Sequence, residues 1–203
     1  MNKDFEHNQP TPPHPKFRPD RRFLEQVEQA SGIRVSACYQ CKKCTNGCPV
    51  TFAMDIYPDQ VIRLVQMGQK QAVLNCSTVW VCSACETCTT RCPNEIDIAG
   101  VMDYLKEQAL KSGVDLPQPR TYAFHRVFLD DIRRRGRVFE GGLLPRYLLQ
   151  SGEMWRKLRT LEFTDDLGLA YGMLRRGRMP FRPRGISTSG QAEIQRLLAK
   201  SEK

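Results

Sequence analysis

The 203-residue chain contains no apolar run approaching the roughly 18–20 residues that span a bilayer. Its opening stretch, MNKDFEHNQPTPPHPKFRP, lacks the apolar core that a secretory signal needs. These two absences lead us to expect a cytoplasmic protein without a membrane span. There is no Gly-rich dinucleotide fingerprint and no P-loop, so the chain offers no recognisable seat for a flavin, a nicotinamide or a nucleoside triphosphate. Histidine is scarce: His7, His14 and His125 have no partners at metal-binding spacing and read as surface residues. Strand-like alternation of β-branched residues is missing as well, which argues against a compact β-containing fold.

Cysteine, by contrast, is abundant, with nine in the chain. Eight of them fall in two runs, CYQCKKCTNGCP with Cys38, Cys41, Cys44 and Cys48, and CSACETCTTRCP with Cys82, Cys85, Cys88 and Cys92. Each cysteine of the second run lies 44 positions after its counterpart. Pro49 and Pro93, Thr45 and Thr89, and Asp59 and Asp103 keep the same displacement. In a reducing compartment, thiols this close together are metal ligands rather than disulfides. The odd total also fits complete pairing poorly.

The spacing C-x2-C-x2-C-x3-C-P is the bacterial ferredoxin run for a [4Fe–4S] cluster, and where two runs occur the fourth cysteine of each ligates the other cluster. That rule assigns Cys38, Cys41, Cys44 and Cys92 to one cluster and Cys82, Cys85, Cys88 and Cys48 to the second. Zinc is the chemical alternative, but it usually takes two close pairs rather than three close thiols and a Cys-Pro. All eight cysteines are consumed as ligands, leaving no open iron for substrate, and no catalytic residue is assigned. Cys76 stands outside both runs and reads as a small buried hydrophobe, with a redox role as the alternative. Trp80 and Phe52 flank the runs and are expected to shield the clusters from water. Lys42, Lys43 and Arg91 read as solvated charge, with partner docking or cluster tuning as the functional option.

The formal net charge of +9 comes from 31 basic and 22 acidic side chains, but only 13 and 12 of these lie in residues 1–113. The excess therefore sits in the second half, in runs such as RRRGR and RRGRMPFRPR. Two oxidised clusters with their thiolates would add about −4 to the site, lowering the total to roughly +5.

Helical periodicity dominates the rest of the chain. Five prolines between Pro10 and Pro19 make residues 1–20 a flexible arm. RRFLEQVEQASG reads as a short helix with Phe23, Leu24 and Val27 on one face and a stop at Gly32. PDQVIRLVQMG follows the first cysteine run, with Val61, Leu64 and Val65 on one face. DIAGVMDYLKEQALKSG follows the second, with Val101, Tyr104 and Leu105 on one face and Asp97 as its N-cap. Residues 21–116 thus read as an all-α, α-helical ferredoxin domain with two [4Fe–4S] clusters. Residues 117–186 read as a C-terminal helical extension for subunit docking, with Phe124, Val127, Phe128 and Ile132 at helical spacing and a break at Gly141–Gly142. Residues 187–203 form a polar tail with a short helix at QAEIQRLLAK.

On CYQCKKCTNGCPV, VWVCSACETCTTRCPNEIDI and the downstream stretches FHRVFLDDIRRRGRVFE and GMLRRGRMPFRPRGI, the chain resembles the C-type subunit of heterodisulfide reductase, including the heterodisulfide-reductase-like complexes of sulfur-oxidising microbes. The resemblance covers roughly Arg22 to Ile186. It implies an electron-transfer subunit, non-catalytic itself, that relays electrons between a flavin-containing A-type subunit and a Cys-rich catalytic B-type subunit bearing CCG motifs. No Cys-Cys dipeptide occurs here, which fits the C-type subunit alone. The substrate of such a complex would be a CoM–CoB heterodisulfide or a protein-carried sulfur species. The cysteine runs also fit an iron–sulfur subunit of a respiratory dehydrogenase that passes electrons to a membrane quinone site. A nucleic-acid-binding regulator is disfavoured, because the basic half shows neither a stacking platform nor a helix-turn-helix.

Overall fold

The computed structural model describes residues 19–160, 163–177 and 186–201. The arm expected before Pro19 and part of the second Arg-rich run lie outside these residues. The described secondary structure is helical with no strand among it. Two compact units divide at Val114 and Asp115.

The first unit contains seven helices: α1 (Arg21–Ser31), α2 (Lys43–Gly47), α3 (Pro58–Gln66), α4 (Lys70–Leu74), α5 (Thr78–Val81), α6 (Thr87–Thr90) and α7 (Ile98–Ser112). Single 3-10 turns at Val35–Ala37 and Thr51–Ala53 complete it. Local chemistry sets the helix ends. The Asp20 carboxylate accepts from Arg22 N–H at the start of α1, and the Asp97 carboxylate accepts from Gly100 N–H at the start of α7. Left-handed Gly32 and Gly113 close the same two helices. Gly68, with φ of +71°, must be glycine for a second reason: a Cβ there would collide with the Asp20 backbone.

α7 is the central strut and packs on α1, α4, α5 and α6. Its buried residues Val101, Met102 and Leu105 meet a core that includes Val27, Ile62, Leu74 and Trp80. The two helices that follow the cysteine runs bury the same register. α3 buries Pro58, Asp59, Val61, Ile62 and Val65, while α7 buries Ile98, Ala99, Val101, Met102 and Leu105. Those sets are displaced by 40 positions, not 44. Nine residues separate Cys48 from Pro58, whereas five separate Cys92 from Ile98, and the shorter connection moves the second helix forward by one turn. The sequence match of Asp59 with Asp103 is therefore a coincidence of numbering, and the structural counterpart of Asp59 is Ala99. Leu64 and Tyr104 are counterparts too, but both are only half-buried, and Ile62 and Met102 take the core positions.

The second unit contains α8 (Pro119–Arg135), α9 (Glu140–Gln150), α10 (Glu153–Thr160), α11 (Phe163–Arg175) and α12 (Thr188–Ser201). α9 packs on α8 and α10, and α12 packs on α8. Val127 and Leu148 are buried, while Phe124 contacts Phe128 and meets Tyr147 edge-on at 5.8 Å. The break expected at Gly141–Gly142 does not occur, because both glycines sit in the first turn of α9. Phe139 packs over position 142 so closely that a Cβ would meet its ring at 2.7 Å, so glycine is required there by packing. At the C-terminus, α12 is longer than the short helix expected, and the Gln191 amide donates to the Arg134 carbonyl.

Candidate metal centre

Each cysteine run begins in extended backbone, crosses two left-handed residues and ends in a short helix. In the first run Gln40 and Lys42 have φ of 64° and 62°; in the second Ala84 and Glu86 have φ of 50° and 56°. These pairs are 44 positions apart, one member just before the second cysteine and the other just after it. A left-handed residue costs energy for anything but glycine, so four of them in matching places mark a constrained, functional loop. Alternating handedness turns successive backbone N–H groups to one side, making a concavity suited to an anionic group. The Gln40 N–H and side-chain amide both lie 3.5 Å from Cys38 Sγ as donors. Cys85 Sγ and Thr87 Oγ1 are 3.4 Å apart.

The third cysteine of each run opens onto a threonine that pins the run to the next helix. The Thr45 hydroxyl donates to the Asp59 carboxylate and accepts from Asp59 N–H. The Thr89 hydroxyl donates to Asp97 and accepts from Ala99 N–H, at 3.1 and 3.3 Å. The two arrangements match at 44 positions in the threonine and at 40 in the N–H donor, as the shortened connection requires.

The first cysteine of each run is also tethered, through its carbonyl. Gln66 Nε2 donates to the Cys38 carbonyl at 2.9 Å, and Lys106 Nζ donates to the Cys82 carbonyl at 3.3 Å. α2 and α6 pack on each other and bring the two runs together. One cavity, partly open to solvent, is lined by Cys48 together with Cys82, Cys85 and Cys88. Met54, Pro58, Ile98 and Met102 supply its apolar wall. Loss of hydration, followed by the charges of Cys41, Cys92 and Cys38, raises the Tyr39 hydroxyl above its usual value. Among the described residues, no three His, Cys, Asp or Glu side chains converge as one bound ion would require.

Burial pushes the Cys44 thiol up to about 11, against the Thr45 N–H and hydroxyl, which favour the thiolate. Burial likewise raises Cys82 and Cys88. Cys85 is exposed, and its hydrogen bond with the Thr87 hydroxyl lowers it. Ligation needs thiolates, so loading this site with metal releases protons, most of all at the buried thiols. The donor set of eight thiols, two strained loops and an apolar wall fits clusters bound by thiolates.

Outside the runs, Cys76 is buried, in keeping with a small core side chain, and burial raises its thiol. Trp80 is buried and backs the core at α5. Phe52 is not a shield: it is 87% exposed on the 3-10 turn of the longer connection. Arg91 lies against the backbone of Gly47, where a Cβ would meet its side chain at 2.7 Å, so it braces the two runs against each other. The tethering role of Gln66 and Lys106 went unseen in the sequence. Aligning the helix starts at Pro58 and Ile98, rather than extending the cysteine displacement, would have paired them.

Residues 34–96 match the family described as a 4Fe-4S dicluster domain, and the chain carries that domain with its two [4Fe–4S] clusters. Over 98 residues the chain is 32% identical to the C-type subunit of the H(2):CoB-CoM heterodisulfide,ferredoxin reductase of Methanothermobacter marburgensis, covering 48% of this chain and 53% of the relative. It is 30% identical over 146 residues to the C-type subunit of the ferredoxin/F(420)H(2)-dependent CoB-CoM heterodisulfide reductase of Methanosarcina acetivorans, covering 68% of this chain and 89% of the relative. The C-type subunit of a ferredoxin:CoB-CoM heterodisulfide reductase of Methanosarcina mazei is 30% identical over 128 residues, 60% of this chain and 78% of the relative. The chain thus spans about half the length of the Methanothermobacter relative and most of the Methanosarcina ones.

Proposed function

The chain belongs to the family of C-type subunits of heterodisulfide reductase, and from that premise we propose that it relays electrons through two [4Fe–4S] clusters between a flavin-containing A-type subunit and a Cys-rich, CCG-bearing catalytic B-type subunit. In this reading Cys38, Cys41, Cys44 and Cys92 hold one cluster, and Cys82, Cys85, Cys88 and Cys48 hold the other. The single observation that carries the allocation is the cavity in which Cys48 joins the second triplet. When bound, each cluster supplies one-electron carriage.

The residues around the clusters do the rest. Gln40 N–H and its counterparts in the strained loops face anionic sulfur and stabilise it. Thr45 and Thr89 fix the short helices α2 and α6, and so the positions of Cys44 and Cys88, against α3 and α7. Met54, Ile98 and Met102 give the second site an apolar side. The extension over residues 117–186 docks the partner subunits. Its support is a basic excess and exposed apolar side chains, Trp155 on α10 and Leu169 and Tyr171 on α11. Among the described residues, no helix is long and apolar enough to cross a membrane.

Purification of the tagged chain from its native source tests the reading. The expected result is a brown complex with broad absorption near 400 nm, containing a flavoprotein and a Cys-rich chain with CCG motifs. A chain that purifies alone, or with a membrane quinone-site anchor in place of those partners, contradicts it.

A further inference from the structure

The two halves of the first unit place a hydrogen-bond donor at the same point with different charge. Gln66 and Lys106 are the ninth residues of α3 and α7, related by the 40-position displacement of those helices. Each donates to the carbonyl of the first cysteine of a run, Gln66 Nε2 to Cys38 and Lys106 Nζ to Cys82. The tether is therefore common to both halves, while one donor is a neutral amide and the other an ammonium.

Neighbouring charges do not cancel the difference. Lys106 pairs with Asp103 at 2.9 Å, but the Asp103 side chain is 58% exposed and that of Lys106 only 13%. Solvent screens the carboxylate more than the ammonium. In the first half the counterpart of Asp103 is Arg63. It is exposed, and it reaches only the far side of the Gln66 amide, at 3.4 Å from Oε1. The threonine–carboxylate pins occur in both halves, on a buried carboxylate at Asp59 and an exposed one at Asp97, so the buried anion lies on the side of the amide and not of the ammonium.

We infer that Lys106 raises the reduction potential of the cluster held by Cys82, Cys85 and Cys88 above the value the same site would have with the amide that Gln66 supplies to the other. A fixed, poorly hydrated positive charge stabilises the added negative charge of the reduced form. Lys106 is a positioning and tuning residue and is not a ligand. The inference rests on the proposed function in that each triplet holds a cluster, and it does not depend on which run supplies the fourth thiolate.

The test is an EPR-monitored redox titration of the purified holoprotein and its variants. Lys106→Gln is expected to lower the midpoint of one cluster by about tenfold in its one-electron equilibrium, or about 59 mV, and to leave the other in place. The affected signal should be the one that Cys85→Ser removes. Lys106→Arg should keep the native potential, and Gln66→Lys should raise the other cluster alone. Two intact clusters with unchanged potentials in Lys106→Gln overturn the inference. So does a shift of equal size in both clusters. Should Lys106→Gln lose its cluster, Gln66→Lys decides, an upward shift supporting the inference and no shift overturning it. A wild-type protein without two clusters by iron and sulfide content would sink the proposed function instead.

Discussion

Asp131 shows how much one buried carboxylate can organise. It has no solvent exposure and lies in α8, where it accepts from Phe139 N–H at 2.6 Å, from Arg135 and from Arg146. It joins the end of α8 to the start of α9 and compensates two guanidinium groups that are themselves partly exposed. Asp131→Ala should cost the second unit about 3 kcal/mol, the low end of the range for breaking a buried ion pair. Asp131→Asn should recover part of that, since its amide oxygen still accepts from Phe139. Denaturant unfolding of both variants against wild type measures this; equal midpoints for Asp131→Ala and wild type would contradict it. At this scale the cysteines were legible because ligand spacing is written directly in the chain. Lys106 was not, because its partner is a backbone carbonyl 24 residues earlier, and a carbonyl leaves no mark in sequence. Phe52 was misread because closeness to Cys48 along the chain says nothing about which way a side chain faces.

Among the elements, α5 is a one-turn helix that leads directly into a ligand, and a side chain from elsewhere caps it. Asp55 accepts from Ser77 N–H at 2.7 Å and from Thr78 N–H at 2.9 Å, and takes the Thr78 hydroxyl at 2.7 Å. Burial opposes ionisation of Asp55, but the bonds from Ser77, Thr78 and Ile56 overcome it and hold the carboxyl below its usual value. For a depressed carboxyl the sign is fixed. Its contribution is complete above the unfolded pKa, about 3.9, and is lost as pH falls through the lower folded value. Asp55→Asn should therefore exchange the Ser77 and Thr78 amide hydrogens faster than wild type at neutral pH. That gap should close only below about pH 4. A gap already closed at about pH 5 would contradict the assignment. Helix ends were readable at several glycines in the left-handed region, at Gly32, Gly68 and Gly113. Gly141 and Gly142 misled because glycine there answers to packing against Phe139. The 44-position repeat was read too far down the chain, since loop length resets the register of the helix that follows.

For the whole molecule, the doubled motif, its helical setting and the family were all legible, because the cysteine spacing is written in the chain and the downstream stretches FHRVFLDDIRRRGRVFE and GMLRRGRMPFRPRGI carry the rest of the resemblance. The structure divides into two units at Val114 and Asp115, next to the PQPR stretch. The charge imbalance belongs to this scale too: the cluster unit is nearly neutral before metal, and the second unit carries the basic excess. The central claim is that neither cysteine run is complete alone. It is tested most directly by comparing the EPR spectra of reduced Cys48→Ser, Cys85→Ser and Cys41→Ser, with iron content determined on each. The account predicts that Cys48→Ser retains the cluster that survives in Cys85→Ser, so that their spectra coincide. A Cys48→Ser spectrum that instead matches Cys41→Ser would show each run serving itself, and would contradict the account.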